Sequence, residues 1–159
     1  MAEPVATGDD RPDTLEELFD RSYAPMVRLA HVLTGSNETA EDLVQDCFAR
    51  LHGRWEHLDE PGAYLRVSVV NACRSWHRSR TREERRLRVV TVPTESALGA
   101  DELLDAVAQL PEAQRTALVL RYYEHCSEAE IAEILRIPRN TVKSHLRRGI
   151  AALRQAVDE

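Results

Sequence analysis

From Thr14 onward, apolar residues return at helical spacing. Leu15, Phe19, Met26, Ala30 and Leu33, joined by Leu18, Ser22 and Leu29, fall on one helical face. Thr14 and Glu17 have capping-box spacing, so a first helix is predicted from there to near Gly35. Ser36 or Asn37 caps a second helix with two distinct faces. Ala40, Leu43, Val44, Cys47, Phe48 and Leu51 lie on one, and Glu38, Glu41, Asp42, Gln45 and Asp46 on the other. After the connector GRWEHLDEPG, Pro61 opens a third helix as its first residue, where its missing N–H costs nothing. Leu65, Val69, Ala72, Cys73 and Trp76 form that helix's apolar stripe, which places Trp76 in the core, with Arg66, Asn71, Arg74 and Arg78 opposite.

The helical period fails over RRLRVVTVPTESALGA, residues 85–100, where small, β-branched and Pro-containing segments read as a linker. It resumes at Asp101 with Leu103, Leu104, Val107 and Leu110 as a short fourth helix, and Pro111 restarts the chain into a fifth over Glu112 to Tyr123. Ser127 and Glu130 form a second capping-box pair, opening the short helix Glu128 to Leu135. Arg136-Ile137-Pro138 breaks it, and from Arg139 the residues Val142, Leu146, Ile150, Leu153 and Val157 share one arc of a long last helix. A short capped helix, a three-residue break and a long amphipathic helix make a helix-turn-helix. The expected architecture is all-α, two small helical domains over residues 14–84 and 101–159 joined by a flexible linker, after a disordered start at 1–13.

Composition agrees: aromatics are 5% and glycines number 6, which suits helical bundles better than sheets. The three cysteines, Cys47, Cys73 and Cys126, lie far apart within or beside apolar patterns, which implies neither a disulfide framework nor a zinc site. No stretch has the apolar core of a signal peptide or the length of a membrane span. A cytoplasmic protein is expected, with no membrane insertion.

The net charge of -6 argues at first against a nucleic-acid partner, but the distribution reverses that. Residues 1–61 hold 14 acids against 5 arginines, whereas residues 62–88 hold 8 arginines against Glu83 and Glu84. Residues 136–154 carry 5 arginines and Lys143 with no acid. An acidic body with two separate basic segments suits a chain that touches nucleic acid at two places.

On the last helix, Asn140, Lys143, Ser144, Arg147 and Arg154 occupy the arc beside the apolar one. A recognition helix needs this division, because a core holds one face while the other offers donors to the major groove. Asn and Arg make bidentate contacts to adenine and guanine; Thr, Ser, Lys and N-terminal amides hold phosphates. The DNA-binding set is therefore Arg139, Asn140, Thr141, Lys143, Ser144, Arg147 and Arg148. The motif by itself says DNA and no more.

The string SEAEIAEILRIPRNTVKSHLRRGIAALR resembles the fourth conserved region of the sigma-70 family. AEDLVQDCFARLHGRW is similar to that family's polymerase-binding helix, and PGAYLRVSVVNACRSWHRSR to its promoter-melting and -10-recognition helix. The order of the matches, and the lack of room for the regions of larger members, is the pattern of the extracytoplasmic-function (ECF) subgroup, and it spans residues 14–157. The resemblance implies an alternative sigma factor whose partners are core RNA polymerase and promoter DNA. It implies that the second helix docks on the clamp of the largest subunit through Asp42, Gln45, Asp46 and Arg50. An acidic face seeking a basic coiled coil is physically sensible.

The resemblance also assigns the connector Arg54 to Gly62 to capture of a flipped -10 base, and Arg66, Asn71, Arg74 and Arg78 to the grip on the opening duplex. Trp55 is left with two roles, stacking a base or packing locally. The second domain would read the -35 element and rest on the flap of the second-largest subunit, to which Leu118, Leu120 and Tyr122 could offer an apolar patch. Members of the subgroup are commonly held by an anti-sigma protein, and a flexible linker would let one clamp both domains. One departure stands out: the family's usual Gly after the first motif helix is Arg136, at a cost of roughly 1 kcal/mol if the position is left-handed.

Two other classes compete. Cys47, His52 and His57 are the nearest approach to a ligand cluster, but their spacing matches no common zinc site and no phosphate loop is present. Neither an enzyme nor a metal or other cofactor is therefore expected. The stronger rival is a polymerase-independent helix-turn-helix regulator, which would dimerise on paired half-sites.

Overall fold

The structure is a computed structural model that describes residues 14–87 and 102–158. It contains α1 (Leu15–Thr34), α2 (Asn37–Arg54), α3 (Pro61–Leu87), α4 (Glu102–Ala108), α5 (Glu112–Leu118), α6 (Glu128–Leu135) and α7 (Arg139–Asp158). A 3₁₀ turn, Trp55–His57, follows α2, and one π-helical turn, Val119–Tyr123, extends α5. The all-α expectation holds.

Local chemistry sets the boundaries. The Thr14 hydroxyl accepts from the Glu17 amide at 3.2 Å, Ser36 from Thr39 at 3.2 Å, and Ser127 from Glu130 at 3.1 Å, each satisfying a free N–H of a first turn. Gly35 ends α1 at φ 77, a left-handed turn that lets its N–H reach the His31 carbonyl. Pro25 lies inside α1 and cannot donate to the Arg21 carbonyl. Packing therefore carries α1 past a residue that opposes it. Pro25→Ala is expected to raise the unfolding free energy by about 1–2 kcal/mol, the restored bond outweighing the freer unfolded chain; urea denaturation checks this.

Two bodies form. In the first, α1 packs on α2 and α3 around Leu29, Leu33, Val44, Leu51, Leu65 and Val69, all buried. In the second, α5 and α6 pack on α7 around Leu118, Leu120, Ile131, Leu135, Val142 and Leu146. Gly149 makes close contact possible between α5 and α7, since a Cβ there would lie 2.7 Å from Leu118 Cδ1. The bodies also touch one another, α4 and α5 resting on α1, and α5 on α3.

Several apolar positions expected inside lie outside. Trp76 is half-buried, its ring under the Arg80 guanidinium and edge-on to His77, because α3 has a neighbour on only part of its circumference there. Phe19, Leu103, Leu104 and Val157 are exposed at the ends or rims of their helices. Helix α3 also runs on to Leu87, into the segment read as the start of the linker, as its Arg- and Glu-rich turns favour. The rest of that segment and the N-terminal 13 residues lie outside the described residues.

Candidate polymerase and promoter interfaces

Helix α7 presents the expected division. Val142, Leu146 and Gly149 are buried, while Arg139, Asn140, Lys143, Arg147 and Arg148 are exposed and Thr141 and Ser144 half-buried. The turn before it is tight. Arg136 takes φ 55 and ψ 46, the left-handed conformation, and its N–H bonds to the Ala132 carbonyl. Its side chain is exposed, so the residue carries the strain that the usual Gly would avoid. Arg136→Gly is therefore expected to stabilise the second body by about 1 kcal/mol, a rise of roughly 4–8 °C for a body of this size. Differential scanning calorimetry reads it.

Arg139 does not stand free, as Glu128 of α6 holds its Nε at 3.6 Å. This pair links the two helices of the motif. Exposed by nearly two thirds, the Arg139 side chain remains able to turn outward to a phosphate.

On the first body, Asp42, Gln45, Asp46 and Arg50 are all exposed on one side of α2. Gln45 Nε2 donates to the Tyr23 hydroxyl at 3.3 Å, and Tyr23 stacks on Phe19, centroids 4.8 Å apart, which meets Phe48 edge-on at 5.0 Å. An aromatic ladder thus borders the acidic face. Phe19 and Phe48 read in sequence as core alone; their position beside Gln45 needs the packing angle of α1 on α2.

The connector contains the 3₁₀ turn, where Trp55 is half-buried. Trp55, His52, Gly53, Glu56 and His57 line a cavity of about 570 Å³ with Thr14, Leu15 and Glu16. Asn71 and Arg78 of α3 are exposed, but Arg66 and Arg74 are not. Arg66 Nη1 lies 3.9 Å from Glu124, and Arg74 Nε lies 3.4 Å from Glu112 while its Nη1 donates to the Leu135 carbonyl at 3.3 Å. Both therefore face the second body.

Opposite them is Arg115 of α5, which sequence reasoning passed over. One amino group donates to the Leu33 carbonyl at 3.0 Å, and the other to the Ala108 and Leu110 carbonyls at 2.9 and 3.0 Å. Burial lowers its pKa, opposed by Glu112, and burial likewise raises that of Glu124 against Arg66 and His125. The only sequence signal was an Arg in a mainly apolar helix.

Burial also pushes the thiol of Cys73 up to about 12, and raises those of Cys47 and Cys126. Among the described residues no group of His, Cys, Asp and Glu could hold a metal, and no helix is long and apolar enough to cross a membrane. Leu118 and Leu120 are buried and cannot offer an apolar patch to a partner; of the three residues considered for one, Tyr122 alone is exposed.

The two bodies match separate family signatures, Sigma-70 region 2 over residues 18–83 and Sigma-70, region 4 over residues 100–153. The RNA polymerase sigma-E factor of Streptomyces antibioticus is 34% identical over 90% of this chain and 84% of its own. The chain belongs to the sigma-70 family. Within it, the ECF RNA polymerase sigma factor SigL of Mycobacterium tuberculosis is 31% identical over 91% of this chain and 89% of its own. The fold is shared with the sigma factor RpoE of Bartonella quintana, solved with the anti-sigma factor NepR, at a TM-score of 0.72 and 22% identity over 90% and 96% of the two chains. As a sigma factor of the ECF type, the chain directs transcription initiation by RNA polymerase. The polymerase-independent regulator is not favoured.

Proposed function

We propose that the two bodies divide this work. The exposed face of α7, with Arg139, Asn140, Thr141, Lys143, Ser144, Arg147 and Arg148, binds the -35 duplex. The α3 side chains Arg66, Asn71, Arg74 and Arg78, with the Trp55 turn, grip the -10 element as it opens. Asp42, Gln45, Asp46 and Arg50 on α2 dock on the polymerase clamp. The observation that carries this is the opposition of charge: the outward face of α2 is mainly acidic and belongs to one body, while that of α7 is basic and belongs to the other. In this reading the chain works in the cytoplasm, performs no catalysis itself and needs no cofactor. An anti-sigma protein is a further partner, by likeness to the Bartonella complex.

The test mixes the chain with core polymerase and promoter fragments chosen by mapping transcript 5′ ends after overexpression. Permanganate-reactive thymines around the -10 position and a promoter-specific transcript are expected only when both proteins are present. Equal DNA binding without polymerase, and no specific transcript with it, would overturn the reading.

A further inference from the structure

Among the described residues other than glycine, His125 and Arg136 take a positive φ, 57 and 55, and they flank the two ends of α6. His125 has an acid beside it in its own loop, Glu124, whose charged form it favours. No acid answers Arg136. Its side chain is exposed, and among the described residues its guanidinium has neither an ion pair nor a hydrogen bond. Glu133, the nearest acid along the chain, leaves it free, and Glu128 is engaged by Arg139. The second body therefore gains nothing from this side chain, at a position where a side chain is poorly tolerated. Gly fits a left-handed turn without cost, and Asn fits it with little.

We propose that Arg136 is a further DNA-binding residue, whose guanidinium holds a backbone phosphate of the duplex. This rests on the reading of α7 as the helix that meets DNA. Arg136 lies in the turn leading into that helix, three residues before Arg139 and four before Asn140, and no acid follows it until Asp158. A long cationic side chain at the mouth of a recognition helix meets the strand beside the groove, while residues further along the helix meet the base edges within it. Phosphates lie on every duplex, so the contact strengthens binding to right and wrong sequences by the same factor. The strained turn is then the counterpart of a binding role: the second body gives up stability that Gly would restore, and holds DNA more firmly.

The experiment uses the full chain assembled with core polymerase, and labelled duplexes carrying the mapped upstream element or copies of it with one base pair changed. Fluorescence anisotropy is read from about 50 to about 200 mM salt. Arg136→Gly should melt higher yet bind every duplex about fivefold more weakly. It should also lower the slope of log affinity against log salt by about 0.9. Arg136→Asn, which accepts the turn without a charge, should lose as much. Arg136→Lys, which keeps both charge and strain, should stay within about twofold of the wild type. A role confined to the shape of the turn gives the opposite order, with Gly binding at least as well as Arg. In duplexes whose phosphates are replaced one at a time by uncharged methylphosphonate, one replacement should weaken the wild type and leave Arg136→Gly unaffected.

Arg136→Gly binding as tightly as the wild type, a loss that Lys does not restore, an unchanged salt slope, or a loss confined to one altered base pair would each overturn the proposal. Arg147→Glu, measured alongside, separates the two levels. If it weakens binding and Arg136→Gly does not, the phosphate contact alone falls. If Arg147→Glu leaves binding intact, the reading of α7 falls and the phosphate contact with it.

Discussion

Replacing Lys143 or Arg147 by Glu should weaken binding of an upstream duplex element by about a hundredfold while leaving affinity for core polymerase unchanged. Both side chains are exposed on the outward face of α7, three and seven residues in from Asn140. On the proposed reading of α7, loss of either removes a cation from a phosphate or base edge, a contact worth about 1–3 kcal/mol. The new carboxylate then adds repulsion from the backbone. Nothing in the core of the second body changes, since Val142 and Leu146 point the other way. Asp46→Arg should produce the converse, because Asp46 is exposed on α2 in the other body. The charge reversal sets a cation against the basic partner that an acidic face would seek. Equilibrium binding of each variant to duplex and to core polymerase tests the division, and equal losses in both assays would refute it.

Ile131→Ala should have the largest effect on stability. Ile131 is fully buried between α6 and the rest of the second body. Its truncation should cost about 2–5 kcal/mol in lost burial and residual cavity. Residues 102–158 form a small body, for which such a loss is a large part of the whole. A fall in melting temperature of more than about 10 °C is expected by calorimetry. Duplex binding, if α7 reads DNA as proposed, should fall with it at temperatures where the wild type is intact, because α7 keeps its angle only while α6 braces it. The Arg139–Glu128 pair, exposed on one side, is too weak to hold the two helices by itself.

What the sequence made legible was whatever depends on neighbours along the chain. Thr14, Ser36 and Ser127 cap the helices expected of them because capping is a matter of three residues. Pro61 opens α3, and the turn at Arg136 falls where the pattern broke. The polar face of α7, proposed to meet DNA, followed from periodicity, and its residues stand largely outward. Positions that depend on distant packing were hidden. Trp76 and Val157 share the period of buried residues but run past the neighbours that would cover them.

Pro25 gave a contrary signal that tertiary contacts overrode. Arg115 was hidden most deeply. Its partners are backbone carbonyls of Leu33, Ala108 and Leu110, and a carbonyl carries no mark in a sequence. For the same reason Arg66 and Arg74 read only as a cationic edge, with no hint that acids of the other body would meet them.

The buried thiols carry a practical consequence. Cys47, Cys73 and Cys126 are each buried, with the thiolate disfavoured in every case. Maleimide dyes attack the thiolate, so the native fold should leave all three untouched at neutral pH. A cysteine introduced at Arg50 and another at Arg154, both exposed and on different bodies, could then be labelled without first stripping the core of sulphur. The chain is already a blank background for measuring the distance between its two bodies one molecule at a time.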